Sequence, residues 1–514
     1  MRNIQIHAPT LRADITGLQN EESGVTIFRG IPFASITKRW TQSIIHKSLS
    51  SPFDATNFGP RCPQPAHESI IPVALHNPDP GENEYQCLNL NIALPNEAIS
   101  MSETRNLLPV MVWVHGYQPE ILSNIAKEAG NPVVIVQIQY RLGAFGFLAS
   151  DDLAEEHASK SEDKETNPFG NFGMVDQRNA FEWVKNNIQD FGGDPANVTA
   201  FGLSAGSGSL HMHIIGGDPL FDRAILMSGS APMMGPLPQE TFQAKWRILC
   251  QKAGVLEESR EVRMQRLRAL PPDTLMKMLG SGTVAPMADG TLLPKSWTIG
   301  TLQPESRCKE IIIGDVRMDA IIFDPLIQHI PQKLFKQLIN TCFPNPSDAE
   351  KFCTLFGFAQ DYQPFEDFRD AVRFFLSTVI FHYPNLRIAE TFSGKSYLYH
   401  FEEPSPYSGP TNGLPVHGQC AVFMYGNDKP SWPESGQRTS AEMAHLWTAF
   451  ANGKEPWEPF ETSKRYMRFG PDGECGLKTR DDDELRDYGY LDWLREHFEQ
   501  ARSLVFSLEY GLSR

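Results

Sequence analysis

Five short apolar runs do most to limit what this chain can fold into: VMVWV at 110–114, VVIVQI at 133–138, VTAF at 198–201, RAILM at 223–227 and III at 311–313. Each is too short for a helix, and each is apolar at consecutive rather than alternate positions, the pattern of strands covered on both faces. Helical patterns lie between them. In DQRNAFEWVKNNI, 176–188, Ala180, Val184 and Ile188 recur at intervals of four while Phe181 and Trp183 widen the apolar stripe. That helix is expected to stop at FGGDP, whose paired glycines and proline cannot continue it. Strands alternating with helices predict an α/β chain with a large, mostly parallel central sheet covered by helices. Helical patterns without strong strands at about 235–305 and 325–390 read as insertions over one end of that sheet, within a single domain spanning 1–514.

Composition excludes several classes of function. Formal charge is -16, from 46 basic and 62 acidic side chains, and the basic residues are scattered, so no footprint for nucleic acid is expected. No apolar run approaches the roughly 18 residues that span a bilayer. The first twenty residues hold no apolar core of seven and are interrupted by Asp14, unlike a secretory signal, so a cytoplasmic location is expected. Eight cysteines show no CxxC pairing, and neither a metal nor another cofactor is expected. His211 and His213 stand two residues apart on a predicted helix and point to different sides, which disfavours a shared metal. Asn197-Val198-Thr199 is a formal glycosylation acceptor, but it falls in a predicted strand and is read as unmodified. The mixed-charge stretch SDDLAEEHASKSEDKET, 150–166, reads as a solvated loop with a helical turn.

The chemistry-bearing motif is FGLSAGSGS, 201–209, a G-x-S-x-G at Gly202, Ser204 and Gly206. It follows a predicted strand and precedes HMHII, and a strand-turn-helix setting is the one in which such a serine acts as a nucleophile. Residues two away must be small for so sharp a turn. Ser204 would stand at a helix N-terminus, where the Ala205 amide favours a developing oxyanion. A serine hydroxyl needs a base, and the base an orienting carboxylate, in the chain order Ser, Asp or Glu, His. After EIIIG, 310–314, come Asp315 and Asp319; later, His417 lies in the Gly- and Pro-rich TNGLPVHGQC.

Beyond these residues the chain resembles the type-B carboxylesterases, the α/β-hydrolase family that includes lipases, cholinesterases and the non-catalytic neuroligins, and it looks most like intracellular fungal members. The likeness runs almost end to end: FRGIPFA (28–34), GPRCPQP (59–65), CLNLNI (87–92), YRLGAFGFL (140–148), the block from Gly170 to Gly206, RAILMSGSA (223–231), YLYHFEEPSP (397–406) and LWTAFANGKEPW (446–457). The resemblance implies an α/β-hydrolase fold with the insertions over the active-site end, Ser204 as nucleophile, His417 as base, and Asp319 as acid, with Asp315 the rival. It also implies that Cys62 and Cys87 match the family's first disulfide, which a reducing compartment would leave as facing thiols.

The resemblance also marks departures. VWVHGYQP, 112–119, occupies the place of an oxyanion loop that normally has three glycines after the histidine, so Tyr117 and Gln118 follow Gly116. The chemistry needs backbone N–H groups there, which these residues still have, while the wall beside the acyl group must change. The expected oxyanion hole is therefore Gly116, Tyr117, Gln118 and Ala205. Leu203 stands where the family usually has Glu. Residues 63–86 contain no tryptophan, so a choline ester is not expected. Three functions fit: hydrolysis of a small-molecule carboxylic ester through an acyl-enzyme; the same triad used for acyl transfer, lactonisation or elimination on a natural product in secondary metabolism; and a neuroligin-like binding module without catalysis. The intact Ser, Asp and His favour the first.

Overall fold

The structure, a computed structural model, describes residues 1–65, 80–99, 106–114, 119–160, 169–280, 285–299, 306–359, 362–426, 428–486 and 488–511. Twelve strands run in one path across its central sheet: β1 (Arg2–Ala8), β2 (Ala13–Asn20), β3 (Val25–Pro32), β4 (Asn89–Pro95), β5 (Leu108–Val114), β6 (Val134–Ile138), β7 (Gly193–Leu203), β8 (Arg223–Met227), β9 (Glu310–Val316), β10 (Lys395–Phe401), β11 (Tyr466–Phe469) and β12 (Cys475–Lys478). Their order is β1-β2-β3-β4-β6-β5-β7-β8-β9-β10-β11-β12, with a short strand at Phe53–Asp54 beside β2. From β6 to β11 every pairing is parallel; the outer strands pair antiparallel.

All five apolar runs lie in the parallel centre, in β5 to β9. Alternate residues of one strand enter opposite cores, as burial on both faces requires. Val110, Val112 and Val114 join Ile311, Ile313 and Leu398 on one side, while Met111 and Trp113 join Ile312, Tyr397 and Tyr399 on the other. β2, by contrast, alternates buried and half-buried residues along ADITGLQN, the signature of an edge region packed mainly on one face.

The helices that matter for the site are α1 (Pro119–Glu128), α2 (Phe172–Asn187), α3 (Ala205–Ile215), α4 (Phe365–Ser377), α5 (Tyr383–Thr391), α6 (Gln419–Tyr425) and α7 (Gly489–Gly511). α2 starts one turn before the expected helix, because Asn171 takes a left-handed conformation and ties itself to Met287 on both amide atoms. It ends, as the glycines dictate, in a 3-10 turn closed by Gly192 at φ 77. The two stretches read as insertions carry helices Gln239–Lys252, Arg260–Arg268 and Pro272–Leu279, and then Gln332–Cys342, Pro346–Phe356, α4 and α5. The charged stretch read as mainly loop instead begins with a ten-residue helix, Asp151–Lys160, whose Asp152 is ion-paired to Arg263 and bonded to the Trp246 indole. Among the described residues no helix is long and apolar enough to cross a membrane.

Candidate active site

Three parallel strands deliver the candidate residues to one edge of the sheet. β7 leads into Ser204, β9 into the turn bearing Asp319, and β10 into the long loop bearing His417. In register, Leu203 pairs with Met227, Met227 with Gly314, and Gly314 with Tyr399, so the strands run level toward their C-terminal ends. Ligand sites in parallel α/β sheets form at this edge.

Ser204 sits between strand and helix at φ 54 and ψ -117, a conformation that costs an L-residue energy and persists only where its surroundings enforce it. Its amide donates to the Met227 carbonyl at 2.9 Å, and its carbonyl accepts from Gly208 at 2.9 Å in the first turn of α3. The elbow's glycines are explained by close approach. A Cβ on Gly202 would come within 2.8 Å of the Gly206 backbone, and one on Gly206 within 2.3 Å of the Val114 carbonyl oxygen. Sequence reasoning missed a third contact of this kind: a Cβ on Gly229, in the turn after β8, would lie 2.3 Å from the Ser204 carbonyl oxygen. The signal was the SGSA that follows RAILM. Ala205 is the first residue of α3, so its amide lies at the positive end of that helix.

Asp319 and His417 are brought together. The His417 Nδ1 to Asp319 Oδ1 distance is 2.8 Å, with the carboxylate fully buried and the histidine side chain 8% exposed. The second carboxylate oxygen accepts from the Val316 amide at 2.9 Å. The two loops are also tied through their backbones, Met318 donating to the Pro415 carbonyl at 3.0 Å beside a bridge between Met318 and Val416. Gln419, which sequence reasoning did not single out, holds the histidine's loop: its side-chain oxygen accepts from the Val416 amide at 3.1 Å, and its amide donates to the Glu403 carbonyl at 3.2 Å.

The rival Asp315 faces a different histidine. Still on β9, it bonds His400 Nδ1 at 2.9 Å and Arg486 Nη1 at 2.7 Å in a fully buried ion cluster that includes Glu402. Burial by itself would raise its carboxyl, but the Arg486 guanidinium, helped by His400, holds it far below the usual carboxylate range.

The expected oxyanion residues Gly116, Tyr117 and Gln118 lie outside the described residues. Their flanks are described: β5 ends at Val114 and α1 begins at Pro119, the first helical position, where a missing N–H costs nothing. Leu203 is half-buried and packs on the apolar core of that side of the sheet. Cys62 and Cys87 are buried free thiols; the Leu142 amide donates to Cys62 Sγ at 3.3 Å. The hydrogen bond to Cys62, then burial, pushes the Cys87 thiol well above its ordinary value. His211 and His213 turn to different partners, His211 to the Ala231 amide and His213 to Asp218 and Gln177.

A largely parallel sheet with a strained serine at the elbow between its central strand and the following helix defines an α/β hydrolase. The sequence profile of the Carboxylesterase family matches residues 2–485. The chain is 26% identical to lipase 3 of Yarrowia lipolytica (strain CLIB 122 / E 150) over 488 residues, covering 88% of this chain and 90% of that one. It is 26% identical to acetylcholinesterase of Bungarus fasciatus (85% of this chain, 76% of that one) and 25% identical to liver carboxylesterase 1F of Rattus norvegicus (88% and 87%). The chain belongs to the carboxylesterase family and is a carboxylic ester hydrolase.

Proposed function

We propose that the protein cleaves a small-molecule carboxylic ester through an acyl-enzyme, with Ser204 as nucleophile, His417 as general base and acid, and Asp319 as the orienting carboxylate. The observation that carries this reading is the 2.8 Å contact between His417 Nδ1 and Asp319 Oδ1, at the same sheet edge as the strained Ser204. With Nδ1–H donated to the carboxylate, Nε2 keeps its lone pair and can take the serine proton. Ser204 Oγ then adds to the ester carbonyl, and the negative oxygen that forms is met by backbone amides, that of Ala205 from α3 and those of Gly116, Tyr117 and Gln118. Collapse of this adduct breaks the bond to the alcohol oxygen, which leaves with the proton held on His417. Water, deprotonated in turn by His417, releases the acid and regenerates the serine.

The test is active-site labelling. A fluorophosphonate should modify Ser204 alone, and Ser204→Ala should abolish both labelling and turnover of p-nitrophenyl esters while the protein melts at nearly its original temperature. Labelling that persists on another serine would overturn the assignment. The same ester series, run with an added alcohol or amine, separates water from another acyl acceptor by the product formed.

A further inference from the structure

α4 passes into α5 through a π-helical turn, Thr378–His382, in which the Tyr383 amide donates to the Thr378 carbonyl five residues back. Pro384, in the first turn of α5, has no N–H to continue the ladder, and its ring crowds the carbonyl four residues earlier; the wider turn accommodates both. The turn also changes which side chains share a face. In an unbroken α-helix His382 would point about 140° away from Ser377. With hydrogen bonds closing over five residues that offset narrows, and both side chains come to one side of the helix, against Val316–Ala320.

That face meets the loop that carries the acid. Ser377 Oγ accepts from the Ala320 amide at 2.9 Å, immediately after Asp319. His382 Nε2 donates to the Val316 carbonyl at 3.2 Å, and Asn385 Nδ2 donates to the Gly314 carbonyl at 2.8 Å. The Phe381 ring lies 5.3 Å from the His417 ring, tilted by 52°. Val316 is therefore used twice, its carbonyl by His382 and its amide by the Asp319 oxygen that does not face His417. None of these four residues has a part in the bond-making and proton-transfer steps proposed for Ser204 and His417.

We propose that the π-helical turn is a positioning device for the Asp319–His417 pair, with His382 the positioning residue that fixes Val316 and, through it, the carboxylate. The inference rests on the triad reading. It explains why a buried histidine stands here with Nδ1 lacking a hydrogen-bond partner among the described residues: only the Nε2 donor is used. Burial holds the imidazole below the ordinary histidine range, against the pull of Asp315. A carbonyl can only accept, so Nε2 carries a proton and donates it to Val316.

The test compares His382→Leu, which removes the donor, with His382→Gln, whose amide can replace it. His382→Leu should lower kcat by at least about tenfold, leave KM within about threefold, and slow fluorophosphonate labelling of Ser204 in step with kcat. The downfield proton resonance of the His417–Asp319 hydrogen bond should shift or broaden. His382→Gln should bring the rate back to within about threefold of the unmodified protein and restore the resonance. A His382→Leu protein that keeps both its rate and its resonance overturns the proposal, as does a loss that His382→Gln fails to recover or one that leaves the resonance unmoved. If His382→Leu does not fold, Ser377→Ala, which deletes only the acceptor for the Ala320 amide, carries the same measurements. Asp319→Asn is measured in parallel. If it stays active, the triad reading falls. If it is inactive while His382→Leu is unaffected, only the positioning inference falls.

Discussion

Two aspartates four residues apart should respond to the same substitution in opposite ways. Asp315→Asn removes the carboxylate that faces Arg486 and His400 in the buried cluster, leaving Glu402 as the guanidinium's remaining partner. Breaking one side of a buried ion pair costs about 3–5 kcal/mol. At about 2.1 cal/mol/K of unfolding entropy per residue, 514 residues give about 1.1 kcal/mol per degree, so the melting temperature should fall by about 3–5 °C. Asp319→Asn removes no arginine partner; its loss is the acceptor that sets the His417 tautomer, and kcat should fall by about 10⁴ with the melting temperature moved by no more than about 2 °C. pH adds a second readout. The folded-state value of Asp315 is depressed, so its stabilisation is complete above the unfolded carboxylate value of about 4 and is lost as pH falls below it toward the folded value. Unmodified protein should therefore lose stability below about pH 4 more steeply than Asp315→Asn does. Differential scanning calorimetry between pH 3 and pH 7, with initial rates on a p-nitrophenyl ester at pH 7, decides the matter. A collapse of kcat in Asp315→Asn with full activity in Asp319→Asn would refute the reasoning and move the acid's role to residue 315.

Two further outcomes are expected. Protein taken from a reducing cytosol should resist iodoacetamide at Cys62 and Cys87 while folded, because both thiols are buried and that of Cys87 is pushed up, and should be alkylated at both once unfolded; a linked 62–87 peptide in freshly quenched material would contradict this. Replacing Tyr117 and Gln118 together by glycine should keep the rate on an acetate ester within about tenfold, since the backbone donors remain, and shift preference toward bulkier acyl groups; a collapse on every ester with Ser204 still reactive would show that these side chains take part in the reaction.

What the sequence discloses about the fold depends on how each strand is buried. β5 to β9 announce themselves because both faces are covered and each holds a run of mostly apolar residues at consecutive positions. β1 to β3 do not, because at the edge region only alternate positions need be apolar, and a run such as ADITGLQN carries Asp14, Thr16 and Asn20 on its half-buried side. β10 is silent in the sequence for another reason: KSYLYHF is buried throughout after its first residue, yet it holds a histidine whose polarity is satisfied by Asp315 and the Tyr488 hydroxyl, partners 85 and 88 residues away.

The same distinction between local and distant constraint runs through the site. At the elbow, the sharpness of a five-residue turn dictates its own small residues, so Gly202, Ser204 and Gly206 are legible as a unit; the clash distances of 2.8 and 2.3 Å are the physical content of that pattern. The choice between Asp315 and Asp319 is less local, because both follow the same strand and only their orientation separates them. Asp315 is still in register with His400 and is held in the ion cluster, whereas Asp319 begins a 3-10 turn past the strand's end and meets His417. The positioning contacts are the least legible of all. Ser377 reaches Ala320 across 57 residues and His382 reaches Val316 across 66, from a helix whose π turn no hydrophobic period announces. A buried histidine in FFLSTVIFHYP reads as part of an apolar helix until the carbonyl it serves is seen. What a motif can specify within a turn, the rest of the chain must supply from a distance, and in this hydrolase that supply comes largely from the segment joining α4 to α5.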